Sequence, residues 1–196
     1  MIKLGITGGM GSGKSYVSRI FKALHYPVFD ADLETRKLFN QTDVKRQVIQ
    51  LLGAAAYRPD GAADTAYIAS LVFHDPVLLS GLEAILHPPG RLLFNAFVQQ
   101  HASSELVIKE AAILFERGAN AGLDKVLLVK APLEVRIKRC LQRNPGLSRE
   151  DVMARISKQW PESELEKRAD FVLVNDGVQM LVPQVLGVLK ELKLLP

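Results

Sequence analysis

The sequence predicts an α/β fold: a five-stranded parallel sheet layered between helices, with a helical insertion and a short helical lid. Three observations carry that prediction. Five short apolar runs alternate with helix-period stretches, the pattern of strands covered on both faces. A glycine-rich segment, GITGGMGSGKSYVS (5–18), follows the first run directly. Two further stretches do not fit a minimal strand–helix rhythm, and each reads as an addition to the sheet.

The strands are IKLGIT (2–7), PVFD (27–30), LVIKE (106–110), KVLLVK (125–130) and DFVLVN (170–175). Helices are expected at 14–24, 132–143 and 178–193. About 75 residues separate the second and third strands, far more than a simple crossover needs. They contain helix-like segments at 42–56, 64–73, 76–86 and 90–102, punctuated by RPDG and HPPG. The second addition, 143–168, is polar and rich in Arg and Lys. It opens on an Asn144-Pro145-Gly146 turn, carries a Ser148-to-Asp151 capping signal, and has Pro161 placed to start a second short helix. The expected division is a sheet core (1–30, 105–143, 169–196), a helical insertion (31–104) and a helical lid (144–168).

Composition narrows the classes. A formal charge of +4 and a pI near 9.2, with no long Lys/Arg block, argue against a nucleic-acid partner. Cys140 is the single cysteine, so an intramolecular disulfide and CxxC metal sites are excluded. No apolar run approaches the roughly 20 residues needed to span a bilayer, and the N-terminus lacks the layout of a signal peptide. A cytoplasmic protein without a membrane partner is expected; the sequence does not reveal its oligomeric state.

Gly8-x-x-x-x-Gly13-Lys14-Ser15 matches the phosphate-binding loop pattern and sits after a strand and before a helix. Its glycines let backbone N–H groups from Gly8, Gly9, Met10, Gly11, Ser12 and Gly13 turn around phosphate oxygens, beside the positive end of the helix. Lys14 is expected to reach the β- and γ-phosphates, Ser15 to ligate Mg²⁺, and Tyr16 to extend the nucleotide site. The ligand is therefore a nucleoside triphosphate, and the fold a three-layer P-loop NTPase. No Asn-Lys pair and no D-x-x-G occur anywhere in the chain, which disfavours a GTPase and points to ATP.

VFDAD (28–32) places Asp30 and Asp32 at the carboxyl end of the second strand, where open α/β sheets bind ligands. Either carboxylate can take the proton of an acceptor hydroxyl, and either can cap the next helix. Glu110 ends the third strand as an acid suited to hold Mg²⁺ through water, or as a carboxylate near a helix start. Arg136, Arg139 and Arg143 fall at i, i+3 and i+7, with Val135, Ile137 and Leu141 free to turn inward. At least one is expected to stabilise a transferring phosphoryl group, Arg139 first. His87 opens HPPG as a turn-packing or acceptor-site residue. His25, His74 and His101 lack neighbours at metal-ligand spacing.

With these residues assembled, the chain resembles the dephospho-CoA kinase family over nearly its whole length. The resemblance rests on TGGMGSGKS, FDAD, the VF…LHP stretch (72–88), EAAILFE (110–116), IKRCLQR (137–143) and ADFVLVNDG (169–177). It implies transfer of the ATP γ-phosphoryl group to the ribose 3′-hydroxyl of dephospho-CoA, the last step of coenzyme A synthesis. By that likeness Asp32 is the general base, and Lys14 and Arg139 neutralise the moving phosphoryl group. Asn175 and its neighbours line the adenine site, largely through main chain, and His87 belongs to the acceptor domain. Tyr16, His25, Thr65 and Ala112 depart from the family's usual threonine, glycine, arginine and proline; Ser15 retains the metal-binding hydroxyl. A nucleoside or nucleotide kinase shares the same core and lid logic, and an ATP-dependent switch shares the loop.

Overall fold

The structure, a computed structural model, describes residues 1–115 and 120–195. Glu116, the last residue of EAAILFE, lies outside them. The strands are β1 (Ile2–Thr7), β2 (Val28–Asp30), β3 (Leu106–Glu110), β4 (Lys125–Lys130) and β5 (Phe171–Val174). They form one parallel sheet in the order β2-β3-β1-β4-β5. The helices are α1 (Lys14–Ala23), α2 (Ala31–Leu38), α3 (Thr42–Leu52), α4 (Thr65–Val72), α5 (Pro76–Gln100), α6 (Leu133–Arg143), α7 (Arg149–Ile156), α8 (Glu162–Glu166) and α9 (Leu181–Glu191).

Contacts divide the chain into two compact units, Met1–Asp30 with His101–Pro196, and Ala31–Gln100. In the first, β1 is central because its apolar residues find cover on both sides. Leu4, Ile6, Leu106, Ile108, Leu127 and Val129 are fully buried, packed with Val17 and Phe21 of α1 and with Val185, Val188 and Leu189 of α9. Each such side chain contributes about 1.5–3 kcal/mol on burial. This core brings the β1–α1 junction, the ends of β3 and β4 and the start of α6 together at the carboxyl edge.

The polar stretch after α6 folds as two short helices in the same unit. Ser148 Oγ accepts from the Asp151 amide while Asp151 accepts from the Ser148 amide, a complete capping box that starts α7. Val152 then packs on Ile137 and Cys140 of α6, and Arg149 grips Glu134 through both guanidinium nitrogens. Pro161 stands at the N-cap of α8.

The second unit is all helical, built around Leu38, Val44, Val48, Ile68, Val72, Leu82 and Leu86. Here the structure departs from the sequence reading in three places. The segment expected at 42–56 breaks at Gly53, whose φ of 84° ends α3 before a short 3₁₀ turn over Ala54–Ala56. Residues 31–38, read only as the site of a capped helix, form the full helix α2. The segments expected at 76–86 and 90–102 are one helix, α5, that runs through Pro88 and Pro89. Those prolines withdraw donors from the carbonyls of Ala84 and Ile85, yet burial of Leu82, Leu86 and Phe94 keeps both halves in line.

Candidate active site

The loop between β1 and α1 wraps tightly because its glycines tolerate what other residues do not. Gly13 caps α1 with φ 97°, and a Cβ there would strike the Asn175 side-chain amide. Gly11 has φ 79°, and a Cβ would sit 2.5 Å from the Arg136 carbonyl oxygen. With glycine at the cap, no side chain bonds back to the first turn of α1. That turn's amides and the helix dipole are thus directed at the loop.

Around it the sheet unit assembles predicted residues from β3, α1, α6 and the end of β5. Lys14 Nζ folds back to donate to the Gly8 carbonyl at 2.8 Å. Ser15 Oγ donates to Glu110 Oε1 at 2.6 Å, so the hydroxyl and carboxylate read separately as metal ligands form one unit. Glu110 is buried, and Asp30 is its register partner on β2. Arg139 Nη1 donates to the Asn175 carbonyl and Nη2 to Asn175 Oδ1, each at 3.1 Å. Asn175 Nδ2 donates in turn to the Ser12 carbonyl at 2.7 Å. The Asn175 side chain, just after β5, therefore ties that strand's end to the phosphate loop.

The three arginines of α6 are not equivalent. Arg136 is buried beneath the loop, its Nε donating to the Met10 carbonyl at 2.9 Å; Arg139 is half-buried and Arg143 exposed. Ile137 and Cys140, with Arg136, are the buried positions of the helix, whereas Val135 and Leu141 are only half-buried. Asp32 and His87 belong to the helical unit, Asp32 exposed in the first turn of α2 and His87 exposed within α5.

A cleft of about 590 Å³ opens beside the loop, walled by Gly13, Tyr16, Arg139, Asn175, Met180 and Pro183. Its far side, Gln179 to Pro183, was not identified from sequence. The signal was present in NDG: Asp176 Oδ1 accepts from the amides of Val178 and Gln179, a turn that Asp-Gly favours. Those bonds, from Gln179 first, hold the Asp176 carboxyl below its usual range. Exposed Met180 and Val182 supply an apolar wall.

A phosphate loop with its lysine, on a parallel sheet of this strand order, beside an apolar cleft and an arginine helix, defines a P-loop kinase. A family model for dephospho-CoA kinase matches residues 2–180. A dephospho-CoA kinase of Deinococcus radiodurans is 36% identical over 98% of this chain and 93% of its own length. One of Thermus thermophilus is 42% identical over 90% of this chain and 84% of its own. The crystal structure of TT1252 from Thermus thermophilus superposes with a TM-score of 0.86 at 39% identity, covering 97% of both chains. The chain belongs to the dephospho-CoA kinase family.

Proposed function

We propose that the sheet unit holds Mg·ATP at residues 8–15 while Asp32 primes the acceptor, in the reaction that defines the family. That reaction moves the γ-phosphoryl group of ATP to the ribose 3′-hydroxyl of dephospho-CoA, giving coenzyme A and ADP, the final step of coenzyme A biosynthesis. The observation that carries the reading is the family match across residues 2–180, joined to a phosphate loop that carries Lys14 and pairs Ser15 with Glu110.

Lys14, released from the Gly8 carbonyl, neutralises the β- and γ-phosphates, and Arg139 answers the charge on the transferring group. The amides of Gly8, Gly9, Met10, Gly11, Ser12 and Gly13 position the triphosphate, with Tyr16 and Asn175 at the nucleoside end. Ser15 and Glu110 offer the hard oxygen donors that Mg²⁺ prefers, already hydrogen-bonded to each other. When bound, Mg²⁺ supplies charge neutralisation at the phosphates.

Asp32 follows Asp30, the register partner of Glu110, by two residues, and accepts the 3′-hydroxyl proton as that oxygen attacks phosphorus. His87 and the helical unit receive the acceptor. Residues 144–168 act as a lid that excludes water, which otherwise competes for the phosphoryl group. The cytoplasm is the proposed setting, since Cys140 is a free, buried thiol; no helix among the described residues is long and apolar enough to cross a membrane.

Asp32→Asn tests the base. Steady-state ADP release with dephospho-CoA is expected to show kcat reduced by about 10²–10⁴-fold, with the KM for ATP nearly unchanged. Turnover close to that of the unsubstituted protein would move the role away from Asp32.

A further inference from the structure

Met10 is held from three directions. Its amide donates to Gln159 Oε1 at 2.7 Å, and its carbonyl accepts from Arg136 Nε at 2.9 Å. Its side chain packs against the Ile137–Cys140–Val152 cluster shared by α6 and α7. Gln159 lies in the turn between α7 and α8, within the lid. Arg136 in turn approaches Glu162, the first residue of α8, at 4.0 Å.

Gly9 and Gly11, on either side of Met10, offer no side chain to restrict the loop. Ordering a residue's backbone costs conformational entropy. Securing the two peptide groups of Met10 meets that cost before nucleotide arrives, which is preorganisation. A carboxamide is suited to the task, since it accepts the amide hydrogen without setting a negative charge beside a triphosphate.

We infer that Gln159 is a positioning residue: from the lid it fixes the Met10 peptide, so that phosphate-loop shape and lid seating form one equilibrium. The inference rests on the reading that ATP occupies residues 8–15. Trp160, the only tryptophan in the chain, is the adjacent residue and stacks under the Arg168 guanidinium at 4.9 Å, giving an intrinsic probe of this seat.

The full-length chain is compared with Gln159→Leu, which removes the acceptor at similar size, and Gln159→Asn, which shortens its reach. Both are expected to raise the KM for ATP about fivefold, the worth of one neutral hydrogen bond. The KM for dephospho-CoA stays within twofold, and the thermal midpoint within about 2 °C. The Trp160 emission change on titration with Mg·ATP moves to correspondingly higher concentration. An unchanged KM for ATP overturns the inference. So does a parallel rise in both KM values with a lowered midpoint, which marks a merely structural residue. Should Gln159→Leu fail to fold, Gln159→Asn carries the same criteria. If the unsubstituted protein shows no saturable ATP dependence, the nucleotide reading itself fails, and the role of Gln159 falls with it.

Discussion

Arg139 joins α6 to Asn175, the residue after β5, by donating to its carbonyl and side chain, and Asn175 donates on to the phosphate loop at Ser12. Removing one preorganised donor to developing charge typically lowers turnover by about 10²–10³-fold. Arg139→Ala is expected to fall in that range in kcat while retaining a cooperative thermal transition; loss of that transition would assign it a structural role. Arg139→Lys should not restore the rate, because a compact ammonium lacks the rigid planar fork that presents Nη1 and Nη2 to two separate acceptors. The sequence sets Arg136, Arg139 and Arg143 on one face of α6 without ranking their burial. Helical spacing gives the angle at which a side chain leaves the axis, and by angle all three arginines share a face. It says nothing about which turn lies under a neighbour. The phosphate loop covers only the first turn of that face, so Arg136 is buried, Arg139 borders the cleft and Arg143 is solvated. Gln159 gave no signal at all, since its partner stands 149 residues away and is a backbone amide.

At the scale of elements, α1 ends in a complete Schellman arrangement. The His25 amide donates to Lys22, the Tyr26 amide to Phe21, and the Phe21 and Tyr26 rings meet edge to face at 6.5 Å. His25 sits in the left-handed region at φ 64°, which glycine enters without a Cβ penalty. An L-residue there carries about 1–2 kcal/mol of strain, against about 0.5–1 kcal/mol of extra unfolded-state freedom for glycine. His25→Gly is therefore expected to stabilise the protein by roughly 0.5–1 kcal/mol, raising the midpoint by a few degrees in a thermal scan. A lowered midpoint would show that the exposed imidazole makes a contact that matters. Strands and capping were the most legible elements: the five apolar runs became the five strands, and Ser148 with Asp151 formed the box that their spacing announced. The long helix α5 was not legible, because HPPG is a local stop signal that distant burial of Leu82, Leu86 and Phe94 overrides.

For the whole molecule, the phosphate loop alone specifies a triphosphate, not an acceptor. What narrows the acceptor is the long helical unit at 31–100 together with the family match over residues 2–180. The residues that bind dephospho-CoA were therefore the least legible part of the site. The helical unit carries no short motif comparable to the phosphate loop, and His87 stands out only through the prolines beside it. The central claim is that ATP is consumed in order to phosphorylate that one alcohol. The direct measurement incubates the full-length chain with Mg·ATP and, separately, dephospho-CoA, AMP, dTMP or pantothenate, recording ADP release and the position of the new phosphate. One ADP per 3′-phosphorylated coenzyme A, with the other acceptors near the acceptor-free rate, is the predicted result. ADP release stimulated by a nucleoside monophosphate and not by dephospho-CoA would contradict it.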